Sequence, residues 1–274
     1  MGILQAIILG LVQGLTEFIP ISSTAHMTVA AKLFGMISNN EEWTAFMAVV
    51  QLGTLVSVFF YFGNDIKRIL TSFWTDNILV RKPFTGQSED SRLGWLILIG
   101  SVPIITIGLA LKKIIEGEAT KNITLIAIML IVVSVLLFIA EKVAKQKRSM
   151  QNLTWRDAII IGASQALALM PGSSRSGTTI TAGLFLGLTR ETAARFSFLL
   201  SIPAITGSGL LQLIKTMNDI NTNDLVSLTV ATVVAGVSGY YAIAFLMKYL
   251  RTNTTMIFIV YRVILAVALL LFMR

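Results

Sequence analysis

Apolar residues fall in eight blocks along the chain, near residues 3–19, 44–62, 94–111, 122–140, 157–170, 193–213, 225–247 and 254–273. About 20 apolar residues cross a bilayer as a helix, and six of the blocks are suited to do so. The first and fifth are short. Each ends at a proline followed by serines: Pro20 with Ser22 and Ser23, Pro171 with Ser173 and Ser174. Proline cannot continue a helix as a backbone donor, and serine is a strong N-cap. Each of these blocks therefore predicts a short helix, a break and a second short helix, entering the membrane without a full crossing. The links at 63–93 and 142–156 are polar and read as solvated loops.

Composition supports the membrane reading. The 274 residues are 55% hydrophobic and 13% charged, with a mean hydropathy of +0.78, whereas soluble domains carry about 25% charged residues. The absence of cysteine excludes a disulfide framework, a thiol nucleophile and a cysteine metal site. A formal charge of +8 fits basic cytoplasmic loops beside anionic lipid and calls for no nucleic acid. The opening "MGILQAIILG" lacks a basic n-region and a small-residue cleavage site, and is read as part of the mature fold.

The two short blocks resemble each other. Ala6, Ile7, Ile8, Gly10, Gln13 and Leu15 match Ala158, Ile159, Ile160, Gly162, Gln165 and Leu167. A one-residue gap then aligns Pro20, Ser22 and Ser23 with Pro171, Ser173 and Ser174, and Thr24 with Arg175. Each half would hold a broken pair and three full spans. Three is odd, so the second half is expected upside down relative to the first. The expected fold is an all-α polytopic membrane protein in one domain. It is an inverted-topology repeat of about six transmembrane helices plus two re-entrant helical hairpins, with repeat 1 near 1–141 and repeat 2 near 154–274. Interrupted helices at corresponding positions point to a binding site near the membrane midplane.

The breaks also carry the candidate chemistry. Gln13 and Glu17 lie four residues apart, on one helical face, and an ionisable residue inside an apolar span is a functional hypothesis by default. His26, the only histidine, follows Ser22, Ser23 and Thr24 and could act as nucleophile or general base. In "PGSSRSGTT", Gly172 and Gly177 permit close backbone approach, while Ser173, Ser174, Ser176, Thr178 and Thr179 offer hydroxyls. Arg175 adds a planar charged fork suited to phosphate, and a helix starting here would aim N–H groups at the same anion. The blander alternatives are a hydrogen-bonded packing Glu, an interhelical His and a glycine–serine turn with an interfacial Arg. Arg262 reads as internally paired and structural, and Glu141 and Lys142 as interfacial. A divalent cation would rely on Glu17, possibly Gln13, water and substrate phosphates.

With "QGLTEFIPISSTAH" and "PGSSRSGTT" in order, the chain closely resembles the bacterial undecaprenyl-diphosphate phosphatases of the bacitracin-resistance type, and the span pattern extends the likeness over the whole length. The resemblance implies hydrolysis of undecaprenyl diphosphate to undecaprenyl phosphate and inorganic phosphate, recycling the lipid carrier of cell-wall synthesis. It also implies a multi-pass protein of the bacterial inner membrane and a divalent cation, Mg²⁺ or Ca²⁺. It makes Glu17, Ser23, His26, Ser174 and Arg175 active-site residues; residue chemistry adds Ser22, Thr24, Gly172, Ser173, Ser176 and Thr178 around the phosphates and Glu17 and Gln13 toward a metal. Gln13 stands where family members carry Glu or Gln, which leaves its metal role open, and Ala25 stands where glycine is common. Whether His26 or Ser23 is the nucleophile stays open. The expected partners are a polyprenyl diphosphate and membrane lipid; a homo-oligomer is compatible with the sequence. A transporter or flippase of an anionic lipid or solute is the alternative. Twelve Lys and Arg flank the blocks on the side of loops 63–93, 142–156 and 248–253, against six on the other side, Lys112, Lys113, Lys121 and Arg274 among them. The positive-inside rule makes the first side cytoplasmic and opens the first hairpin to the outer face.

Overall fold

A computed structural model describes residues 1–36, 40–111, 122–216 and 222–273. The described residues form helices without any named strand: α1 (Ile3–Glu17), α2 (Ser23–Leu33), α3 (Asn40–Tyr61), α4 (Gly63–Trp74), α5 (Glu89–Ala110), α6 (Ile123–Val143), α7 (Trp155–Ala166), α8 (Arg175–Phe185), α9 (Arg190–Thr216), α10 (Thr222–Leu250) and α11 (Met256–Phe272). Among the described residues, four helices are long and apolar enough to cross a membrane by themselves: α5, α6, α9 and α10. The apolar part of α3 joins α4 across a 79° bend and qualifies only as a broken span, while α11 is apolar but 17 residues long. Large apolar side chains such as Leu4, Phe60, Ile264 and Leu271 stay exposed on the outside of the bundle, as a lipid solvent requires. Of the residues counted for sidedness, Lys112, Lys113, Lys121 and Arg274 lie outside the described residues.

Both polar links are more ordered than solvated loops. Residues 63–74 are helical, and Asp76 beyond them accepts from the Ser88 N–H at 2.8 Å and the Ser88 hydroxyl at 2.7 Å while pairing with Lys82. In the basic link, Arg148 grips both oxygens of Asp157 and donates to the Leu186 carbonyl at 2.8 Å. The link is thereby fixed to both helices of the second broken pair. Sequence could not reveal this, because Arg148 sits in a run of bases whose acceptors lie up to 38 residues away. Glu141 is likewise buried. It accepts from Arg190 and from the Thr255 hydroxyl, joining α6, α9 and the start of α11.

The two breaks share one backbone design. Ser22 (φ 75°) caps α2, its hydroxyl accepting from the Ala25 N–H, and Ser174 (φ 68°) caps α8 by accepting from the Gly177 N–H. Gly35 and Gly187 follow the two second helices at φ 66° and 81°. These pairs are all 152 residues apart, as are Gly10 and Gly162. The correspondence therefore runs without the gap inferred from sequence: Ser22 stands opposite Ser174, and Ser23, not Thr24, opposite Arg175. The serine pattern misled because Ser22-Ser23 and Ser173-Ser174 look alike, while the capping geometry selects one serine of each.

Each first helix of a pair packs on a helix from the other half: α1 on α10, α7 on α5. Small residues allow the backbones to touch, as in other membrane helix pairs. A Cβ on Gly10 would come within 2.5 Å of the Ala231 carbonyl oxygen, and one on Gly162 within 1.9 Å of that of Gly100.

Candidate active site

Helix α1 ends at Glu17, and the chain turns through Pro20 before Ser22 starts α2. Ser22 takes a left-handed φ that non-glycine residues rarely adopt, so the turn must be held from outside. Arg262 on α11 does this. Its side chain is fully buried, and it donates to the carbonyls of Pro20 (3.2 Å), Gly172 (3.1 Å), Ser173 (3.2 Å) and Leu130 (3.3 Å), and to the Ser134 hydroxyl (3.1 Å). One guanidinium thus ties both breaks to each other and to α6. The structural reading of Arg262 from sequence holds, but its partners are carbonyls and one hydroxyl, and no single span could have revealed them.

The tie brings the two motifs together. The Glu17 carboxylate is buried. Its Oε2 accepts from Gln13 Nε2 at 2.9 Å and from the Ser23 hydroxyl at 2.6 Å, and its Oε1 lies 3.7 Å from Arg175 Nη2. Ser176 Oγ reaches the Ile19 carbonyl at 3.3 Å, closing the seam. Ser23 and His26 are three residues apart on α2, hence on one face. Yet His26 does not hold the serine. Its Nδ1 is 2.7 Å from the Ser22 carbonyl and its Nε2 is 2.6 Å from the Tyr261 hydroxyl.

The other expected phosphate ligands divide by role. The hydroxyls of Ser22 and Ser174 cap helices, and Ser174 also meets Ser176 at 3.1 Å. Thr178 and Thr179 give their protons to the Arg175 carbonyl, so in this arrangement they serve the helix. Gly172, at φ 90°, packs against the Ile126 carbonyl, and Thr24 is half-buried in the first turn of α2. Left over are the buried polar atoms without partners. Among the described residues these are Gln13 Oε1, both side-chain atoms of Gln165, Ser173 Oγ and Arg175 Nη1. All lie in the two broken pairs. Buried polar atoms are nearly always bonded, so the protein's unmet hydrogen-bonding capacity is concentrated where a ligand would enter. Charge points the same way: one carboxylate faces Arg175, while Arg262 meets only neutral acceptors, leaving one positive charge for an anion.

Such an arrangement, with a serine on a carboxylate beside an open guanidinium and all of it between broken membrane helices, defines an integral-membrane protein equipped for phosphoryl chemistry. The comparisons agree. Residues 6–268 match the family described as bacitracin resistance protein BacA, and the chain belongs to that family. It is 51% identical to an undecaprenyl-diphosphatase of Syntrophobacter fumaroxidans (98% of this chain, 97% of the relative) and 49% identical to one of Chloroherpeton thalassium (98% and 96%). A third, from Myxococcus xanthus, is 47% identical (100% and 90%).

Tyr261 was missed by the sequence reading. The signal for it was weak, an aromatic beside Arg262 in an apolar helix far from either motif.

Proposed function

We propose that this chain hydrolyses undecaprenyl diphosphate to undecaprenyl phosphate and inorganic phosphate, and so recycles the lipid carrier of cell-wall synthesis. The observation that carries the reading is the Ser23 hydroxyl donating at 2.6 Å to a buried carboxylate that also faces Arg175. The full-length likeness to proteins of that name supports it.

In the proposed sequence Ser23 Oγ bonds to the terminal phosphorus as its proton passes to Glu17. The bond to the bridging oxygen breaks, and its electron pair leaves with the lipid monophosphate, which takes the proton from Glu17 and returns it to the carboxylate form. Water then attacks the phosphoserine; it gives a proton to the carboxylate and phosphate departs, with Ser23 regaining its hydrogen. Arg175, with Nη1 free, holds non-bridging oxygens as charge gathers on them. Ser23 is preferred to His26 as nucleophile because its proton already lies on a base. Gln13 Oε1 and Glu17 Oε1 fit a divalent cation that keeps most of its contacts to water and phosphate, as Mg²⁺ does. Such an ion would neutralise diphosphate charge. No cluster of three or more His, Cys, Asp or Glu exists among the described residues to cage one without substrate.

The matched breaks and the crossed packing of α1 on α10 and α7 on α5 support an inverted repeat over the whole chain. The excess of basic residues beside loops 63–93 and 142–156 supports a site opening to the outer face. The same symmetry favours the second reading, a carrier of an anionic lipid. Purified protein in detergent micelles separates the two, since micelles have no compartments. Supplied with undecaprenyl diphosphate and Mg²⁺ or Ca²⁺, it is expected to release phosphate, and Ser23→Ala to lower the rate by at least about 10³-fold. Substrate binding without phosphate release would overturn the hydrolase reading.

A further inference from the structure

We propose that Tyr261 is a positioning residue of the reaction, acting through His26; the proposal rests on the hydrolase reading above. The geometry is specific. A carbonyl oxygen can only accept, so the 2.7 Å contact between His26 Nδ1 and the Ser22 carbonyl places a hydrogen on Nδ1. In the neutral ring Nε2 then carries the lone pair, and the Tyr261 hydroxyl, 2.6 Å away, donates to it. Which nitrogen of a histidine carries the proton is set by the bond its other nitrogen makes, and here both bonds agree. The rings are within 5° of parallel with centroids 5.6 Å apart, which fixes ring orientation as well as tautomer.

The anchor for this contact is already part of the site. Tyr261 precedes Arg262, whose guanidinium is locked to both breaks. Any movement of α11 that displaced Tyr261 would disturb that lock, so the phenol is held in register with α2. Tyr261 is exposed, unlike Arg262. The phenol is the neighbour of His26 Nε2 and its first exchange partner for water or a phosphate oxygen. Ser23, three residues before His26, presents its hydroxyl to Glu17. The first hairpin consequently offers two separate proton acceptors, Glu17 for the serine and Nε2 for a second oxygen. Tyr261 keeps the second one available in a single form.

Tyr261→Phe retains the ring and removes only the hydroxyl. Because His26 is the only histidine, protein labelled with ¹⁵N-histidine gives one imidazole in the NMR spectrum. The wild type is expected to show Nδ1 protonated and Nε2 as a hydrogen-bonded acceptor. In Tyr261→Phe the Nε2 signal should move as its donor is lost, and kcat should fall about tenfold with KM within about twofold, a part of the ~10²–10⁴ that a positioned acid–base group supplies. In a His26→Ala background, adding Tyr261→Phe should change turnover by less than about twofold, since coupled residues are non-additive. An unmoved Nε2 signal overturns the proposal, and so does a moved signal with unchanged kcat. Additive losses in the double variant would assign Tyr261 a role independent of His26 and overturn it too. A wild type that releases no phosphate would sink the hydrolase reading itself, before any Tyr261 variant is made.

Discussion

The two broken helix pairs have the same backbone and opposite chemistry. Residues 3–35 and 155–187 share the serine cap at φ near 70°, the 11-residue second helix, the glycine that ends it and the glycine where the first helix touches a partner. At corresponding positions the side chains diverge. Glu17 stands opposite Leu169, Ser23 opposite Arg175 and His26 opposite Thr178. In the first pair the polar groups are mostly bonded to one another, with Glu17 taking Gln13 and Ser23. The second keeps most of the unmet polar atoms, on Ser173, Arg175 and Gln165, although Ser174, Ser176, Thr178 and Thr179 are bonded. The two breaks thus use one backbone design twice, and in the proposed reaction one takes protons while the other holds an anion. Arg262 ties the two breaks together, beside the Glu17–Arg175 and Ser176–Ile19 contacts.

The largest effect should come from removing the acid half. Glu17→Gln keeps the shape but cannot take the Ser23 proton, so phosphate release should fall by about 10³-fold, within the ~10²–10⁴ usual for general acid–base groups. Leu169→Glu would place an acid at the matching position of the second pair. Added to Glu17→Gln, it should rescue nothing, because the residue opposite Ser23 there is Arg175. Recovery to a tenth of the wild-type rate would show that the pairs are interchangeable and break the comparison.

A smaller effect tests the anion half. Arg175→Lys keeps the charge but loses the fork. One nitrogen would then have to serve both Glu17 and the phosphate, which in the native site fall to Nη2 and the free Nη1. A drop of about tenfold to a hundredfold in kcat/KM is expected, roughly 1.4–2.7 kcal/mol at 1.36 kcal/mol per decade. A fully active lysine variant would mean that charge alone suffices.

Much of this was legible in the sequence because it is local. The apolar blocks, Pro20 and the serines announced the breaks, and Gln13 with Glu17 announced a buried polar face. What stayed hidden depends on contacts far apart in the chain. Arg262 binds carbonyls of residues 20, 130, 172 and 173, and a carbonyl has no side-chain signature. Tyr261 meets a histidine 235 residues away. The gapped alignment failed for a different reason: four serines resemble one another in sequence, but only the two with left-handed φ and a capped N–H are equivalent. Phosphate-binding roles for Thr178 and Thr179 were inferred from residue type, whereas the first turns of a helix offer such hydroxyls a nearby carbonyl.

The smallest effect separates the two glutamines, which are the same residue at the same place in each pair. Both side chains are fully buried. Gln13 donates to Glu17, but the residue four positions after Gln165 is Leu169, and neither polar atom of Gln165 has a partner. An unmet buried polar group costs about 1–3 kcal/mol, and replacing it with an apolar group of similar shape removes that cost. Gln165→Leu is therefore expected to stabilise the protein by about 1 kcal/mol, about 2–4 °C in melting temperature for a chain of this general size. Gln13→Leu should do the reverse, because the buried Glu17 carboxylate loses a donor, and turnover should fall with stability. Thermal unfolding of the two purified variants beside wild type gives the answer as a difference of sign. If Gln165→Leu destabilises as well, Gln165 is held by something in solution, and the second pair is less a set of open donors than a mirror of the first.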